Sequence, residues 1–209
     1  MNDELFLRGE TVPMTKEAVR ALALSKLELH RASHLIDIGA GTGSVSIEAA
    51  LQFPSLRVTA IEKNPAALRL LEENRRRFAC GNVRILPGSA PMPVAERANA
   101  VFMGGSGGHL TALMDWSMAQ LHPGGRLVMT FILMENLHSA LAHLAQRGAQ
   151  GVTCQQIQTA SWVPLGQGHY FKPNNPVFVI ACQKEEHHVL RPLMPAACGL
   201  SAPGPAIVS

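Results

Sequence analysis

The sequence predicts an α/β protein: a doubly wound, largely parallel sheet of seven strands with helices on both faces. Three observations predict it. Short apolar runs alternate with segments whose apolar residues recur three or four apart, the pattern of strands joined by amphipathic crossovers. A turn with glycines at 39, 41 and 43 follows the first run of that series. The 209 residues are 47% apolar and only 16% charged, which suits a sizeable core and excludes a charge-repelled disordered chain.

The elements follow in order. Residues 15–29 read as a leading helix, with Thr15 as its cap and Val19, Leu22, Ala23 and Leu27 as its buried stripe. Residues 34–38 form the first strand and 45–53 the helix after the glycine turn. The second strand, 57–61, is closed by Glu62, and Asn64 followed by Pro65 starts a helix carrying Leu68, Leu71 and Phe78. Residues 83–86 and 98–103 are the third and fourth strands, and Leu110, Leu113, Met114, Met118 and Leu121 mark the next helix. Pro123-Gly124-Gly125 ends that helix before a fifth strand at 126–130, and a helix marked by Leu137, Leu141 and Leu144 stops at Gly148. Residues 152–159 and 177–182 close the sheet. From residue 187 onward four prolines and two glycines interrupt any periodicity, so residues 1–184 read as one domain and 185–209 as a loose tail.

Composition narrows the function classes. No apolar run reaches the roughly 20 residues of a bilayer-spanning helix, and the first ten residues lack the basic-then-apolar order of a secretory signal. The expectation is a cytoplasmic protein with no membrane partner. Cys80, Cys154, Cys182 and Cys198 are too far apart for a zinc knuckle or redox motif, and no metal is expected. A formal net charge of +3 with 5% aromatics does not point to nucleic acid.

The segment Asp37-Ile38-Gly39-Ala40-Gly41-Thr42-Gly43-Ser44 is the strongest chemical signal. Glycines let a backbone turn sharply and approach a ligand, and the amides opening the next helix favour an anionic group. A dinucleotide would want G-x-G-x-x-G, but Ser44 occupies the third glycine position, and the Asp37 carboxylate would repel a pyrophosphate. S-adenosyl-L-methionine has no phosphate. Its carboxylate suits the loop amides and its ammonium an acidic partner, so the acid-then-glycine order favours it. A side chain at Gly41 is expected to fill the ligand's space and leave the fold intact. Glu62, 23 residues after Gly39, offers two oxygens for two ribose hydroxyls. Gly88-Ser89-Ala90 would border the adenine, where small residues leave room for a flat ring.

These residues resemble the class I S-adenosylmethionine-dependent methyltransferases, and within them the decarboxylating precorrin methyltransferases that act on carbon 15 of the corrin ring in cobalamin synthesis. The resemblance spans residues 3–183 and rests on Val12-Pro13-Met14-Thr15-Lys16-Glu17-Ala18-Val19-Arg20, the 37–43 loop and Ala60-Ile61-Glu62-Lys63-Asn64-Pro65. Gly88-Ser89-Ala90-Pro91, the 101–108 run and Asn175-Pro176-Val177 complete it. It implies a Rossmann-like methyltransferase sheet with its last strand pair antiparallel. It implies cofactor contacts from Thr15, Gly39, Ala40, Gly41, Thr42, Gly43, Glu62 and Ala90, a corrinoid (precorrin) substrate, loss of the ring-C acetate carboxyl and a homotetramer. The tail has no counterpart in the family pattern.

No catalytic triad or paired acid stands out, which suits chemistry in which the sulfonium is already activated and an electron-rich ring carbon attacks it. The 103–108 run lacks the Asn or Asp and two prolines of amino-group methyltransferases; bare backbone there favours a large flat acceptor. Lys16, Arg8, Lys172 and Arg75-Arg76-Arg77 are candidate partners for substrate carboxylates, the last three also reading as a solvated helix end. His169-Tyr170 reads as a surface loop, and His187-His188 makes a poor chelate alone. Three other readings stay open: a methyltransferase for another small molecule or RNA, a cofactor-binding subunit without turnover, and a nicotinamide oxidoreductase, which Ser44 and Asp37 disfavour.

Overall fold

A computed structural model describes residues 1–105 and 107–185 of the chain. Ser106, Cys198, the His187-His188 pair and nearly all of the expected tail lie outside the described residues.

Seven strands form one sheet: β1 (His34–Ile38), β2 (Arg57–Glu62), β3 (Val83–Pro87), β4 (Ala98–Met103), β5 (Leu121–Phe131), β6 (Gln150–Ile157) and β9 (Val177–Gln183). Their spatial order is β3-β2-β1-β4-β5-β9-β6. All neighbours are parallel except β9, which runs antiparallel to both β5 and β6. Every residue of β1 is buried, because the central strand is covered on both faces.

Five helices provide that cover: α1 (Glu17–Leu27), α2 (Ser44–Gln52), α3 (Pro65–Arg77), α4 (Leu110–Gln120) and α5 (Met134–Gln146). The period-2 alternation of the strands sorts their side chains between two cores. Leu35, Val58 and Phe102 pack with Leu24, Leu27, Ile47 and Leu71 of α1, α2 and α3. Ile36, Val101 and Leu127 pack with Leu113, Met114, Leu137 and Leu144 of α4 and α5. Asn64 caps α3 as the sequence predicts, its side chain accepting from the amides of Ala66 and Ala67.

Three expectations are corrected. α1 starts at Glu17 with Lys16, in extended backbone, at the cap position and no capping side chain, so Thr15 stands outside the helix. Pro123-Gly124-Gly125 does not separate α4 from β5. The strand already begins at Leu121, and its register to β4 jumps between the Ala98–Leu121 and Ala100–Arg126 pairs, so the turn residues are extruded within the strand. The stretch around His169-Tyr170 is not a loop. It belongs to a hairpin of β7 (Ala160–Leu165) and β8 (Gly168–Pro173), outside the main sheet, where Trp162 stacks on His169 at 5.1 Å and meets Phe171 edge-on at 5.0 Å.

Candidate functional site

The sheet order reverses at β1, whose neighbours β2 and β4 feed helices on opposite faces. In such sheets the crevice beyond the carboxyl ends of those strands receives ligands. The 39–43 loop stands there. Gly39, Gly41 and Gly43 all hold positive φ (70°, 57° and 81°), which side chains other than glycine's rarely adopt. A Cβ on Gly41 would lie 2.8 Å from the Pro13 carbonyl oxygen, and one on Gly43 would lie 2.2 Å from the Leu71 methyl. The space at Gly41 is therefore filled by the protein's own backbone, and a larger residue there would push on the fold as well as on any ligand. This corrects the expectation of an intact fold.

The loop amides are also largely committed. Gly39 and Ala40 donate to the Ile61 carbonyl, Gly43 donates to the Ala40 carbonyl, and Gly41 donates to Glu62 Oε2 at 2.8 Å. The amides of Lys63 and Asn64 both donate to Glu62 Oε1 at 2.8 Å. A carboxylate has about four acceptor positions, so three of Glu62's are taken by main chain. The reading of Glu62 as acceptor for two ribose hydroxyls narrows to one open position, on Oε2. Glu62 is only 8% exposed, so the same bonds that occupy it also fix it.

Asp37 lies one strand away and is wholly buried. The Ser46 hydroxyl donates to its Oδ2, whereas its Oδ1 has no partner among the described residues. Burial pushes its carboxyl up from 3.8 to about 6; the Ser46 hydrogen bonds oppose that rise and the nearby Glu62 charge adds to it. Thr42 is buried, its hydroxyl has no partner among the described residues, and its carbonyl accepts from Asn74 Nδ2 at 3.0 Å. The Thr15 carbonyl accepts from Arg20 Nη1 at 2.6 Å and from the Ser44 hydroxyl at 3.4 Å, so the 13–16 segment lies against the loop.

Two cavities flank these residues. A cleft of about 140 Å³ is bounded by Gly39, Glu62, Lys63, Gly88, Ala90 and Gly105. A larger cavity of about 500 Å³ runs between the 13–16 segment, the end of β5 and the start of β9, with Thr15, Phe131, Leu133, Asn136, Asn175 and Gly105 among its walls. Gly105 borders both. The predicted residues thus divide: Gly39, Glu62 and Ala90 line the cleft, Thr15 lines the larger cavity, and Ala40, Gly41, Thr42 and Gly43 shape the loop behind them. Asn136 and the exposed Ile132-Leu133 lip escaped sequence reasoning, because a polar residue opening an apolar helix reads as surface.

A family model for the precorrin methyltransferase domain matches residues 6–184. The chain belongs to that family. A relative from Salmonella typhimurium, named cobalt-precorrin-6B C(15)-methyltransferase (decarboxylating), is 82% identical over 189 residues, covering 90% of this chain and 98% of its own. The crystal structure of precorrin-6Y C5,15-methyltransferase from Geobacter metallireducens aligns with a TM-score of 0.82 at 32% identity, over 88% of this chain and 96% of that one. A precorrin 8W decarboxylase structure from Methanobacterium thermoautotrophicum aligns at 0.79 and 32%, over 87% of this chain and 98% of that one. The seven-stranded sheet with its antiparallel β9 is the sheet of these methyltransferases.

Other residues singled out in the sequence lie elsewhere on this precorrin methyltransferase. Arg75 and Arg76 close α3 and both bond Glu72, so they form a solvated helix end. Cys80, Cys154 and Cys182 are free thiols. Among the described residues no helix is long and apolar enough to cross a membrane.

Proposed function

We propose that this protein transfers a methyl group from S-adenosyl-L-methionine to carbon 15 of cobalt-precorrin-6B and releases the ring-C acetate carboxyl as carbon dioxide. The observation that carries the reading is the pair of cavities meeting at Gly105. The cleft is lined by the Glu62 carboxylate, with Asp37 buried on the neighbouring strand, and favours a ligand with positive sulfur and nitrogen over a phosphate ester. The larger cavity is mostly apolar, with threonines, asparagines and Lys16 as its polar groups, and suits a flat macrocycle.

The residues fit the methyl donor. Glu62 keeps an acceptor for a ribose hydroxyl, Ala90 and Gly88 leave width for adenine, and Thr15 borders the junction. The donor supplies an activated methyl, and the chain supplies alignment and a dry path past Gly104 and Gly105, where no side chain intervenes. Decarboxylation sends the electron pair of the breaking C–C bond into the conjugated ring, and the apolar side chains of Phe131, Ile132 and Leu133 promote it by offering the carboxylate no charge or hydrogen-bond donor.

Residues 1–184 act as one methyltransferase domain in this reading, in the cytoplasm and as a homotetramer. The exposed Trp162, Leu165 and Phe171 of the hairpin support association, since contiguous exposed apolar surface marks interaction sites. The test is incubation with S-adenosyl-L-methionine and cobalt-precorrin-6B. Equal amounts of carbon dioxide and methylated product support the proposal; methyl transfer without gas release, or neither, removes it.

A further inference from the structure

Among the described residues that line the 500 Å³ cavity, Lys16 is the one charged side chain, and none of them is acidic. Its backbone is held firmly. The Lys16 carbonyl accepts from the Arg20 amide at 2.8 Å, and the preceding carbonyl, of Thr15, accepts from the Arg20 guanidinium at 2.6 Å. Arg20 is itself wholly buried, bonding Glu48 and Asp3 and lying over the Phe6 ring. The Lys16 ammonium, by contrast, is lightly engaged. Its charged neighbour is Asp3 Oδ2 at 3.8 Å, and Asp3 is already satisfied by Arg20 at 3.0 Å, while the Lys16 side chain stays 53% exposed. A residue of the cavity wall with a fixed backbone and an ammonium that keeps open donor positions can anchor an anion.

Building on the function proposed above, we propose that Lys16 anchors a carboxylate arm of the corrinoid, and that this arm is one retained in the product. The choice between arms follows from the chemistry. Carbon dioxide leaves as a neutral molecule, so a carboxylate paired with an ammonium would be stabilised before the reaction and lose that stabilisation during it. The leaving arm belongs against the uncharged wall of Phe131, Ile132 and Leu133. Lys16 then contributes equally to holding the macrocycle before and during the reaction.

The test uses the full chain and its Lys16→Gln and Lys16→Arg variants. Binding is read by calorimetry with cobyrinic acid, whose side-chain carboxyls are free, and with its fully methyl-esterified form. Turnover is read with cobalt-precorrin-6B. For Lys16→Gln we expect cobyrinic acid affinity to fall and KM for the precorrin to rise about tenfold, the loss of one charge-assisted hydrogen bond. Ester binding, S-adenosylmethionine affinity, kcat and the carbon dioxide to methyl ratio should stay as in the wild type, and Lys16→Arg should recover most of the loss. Unchanged acid affinity and KM would overturn the anchor, and an altered gas ratio would overturn the assignment to a retained arm. Should the wild type turn over no precorrin, the functional reading fails, while the acid and ester comparison still decides Lys16.

Discussion

Replacing Glu62 with Ala removes the acceptor of three main-chain amides, those of Gly41, Lys63 and Asn64. Hydrogen bonds to a charged group contribute about 1.5–3 kcal/mol each, but Lys63 and Asn64 are exposed and regain water. Only the Gly41 amide, under the Pro13 carbonyl, loses its bond with little recovery. The expected cost to folding is about 2–4 kcal/mol, which in a chain of this size lowers the melting temperature by about 5–15 °C. Binding of S-adenosylmethionine should weaken separately, by about 10- to 150-fold, the worth of one hydroxyl bonded to a carboxylate. Differential scanning calorimetry reads the first quantity and titration calorimetry the second, at a temperature where the variant is fully folded. Cofactor affinity unchanged beside a lowered melting temperature would make Glu62 a staple between loop and strand and remove its contact with the sugar. An unchanged melting temperature would refute the three-amide account itself.

Further outcomes follow from the same geometry. Gly41→Ala places a Cβ 2.8 Å from the Pro13 oxygen at a φ of +57°, so stability should fall by roughly 1–3 kcal/mol together with cofactor affinity, as equilibrium denaturation and calorimetry would show. Asp37 is protonated in both folded and unfolded chains below pH 3.8, and only the folded chain keeps the proton between 3.8 and about 6. Its contribution to stability is therefore present at the low end and lost as pH rises through that window, by roughly 3 kcal/mol. Asp37→Asn should flatten this part of the stability curve, measured by urea unfolding at successive pH values. If the proposed assembly forms through the hairpin, Trp162→Ser combined with Phe171→Ser should shift the sedimenting species toward smaller particles and leave S-adenosylmethionine binding by each chain intact; an unaltered sedimentation profile would exclude the hairpin as an interface.

The parts of the fold that the sequence announces are those decided locally. β1 and α3 match their expected limits within a residue, because an apolar run bounded by glycine and an Asn-Pro start depend on neighbours in the chain. The hairpin was illegible for the opposite reason: Trp162, Leu165 and Phe171 are exposed, so apolar residues there do not signal a buried face. Arg20 reverses the rule, a charge at an apolar helix face that is buried because Glu48, Asp3 and two main-chain carbonyls receive it. In the site, the residue types at 37, 39, 41, 43 and 62 point to the ligand class proposed above. What they do not disclose is that Gly41 and Glu62, 21 positions apart, bond to each other before any ligand arrives.

The placement of β9 bears on how the protein is made. It is the last described strand in the chain, yet it lies between β5 and β6 and pairs with both. Until residues 177–183 have left the ribosome, two long edges remain without their neighbour, and Met129 and Val128 have nothing alongside them on that flank. Assembly of the sheet thereby waits for those seven residues, and a messenger cut short before that point yields a chain whose open edges invite the wrong partners.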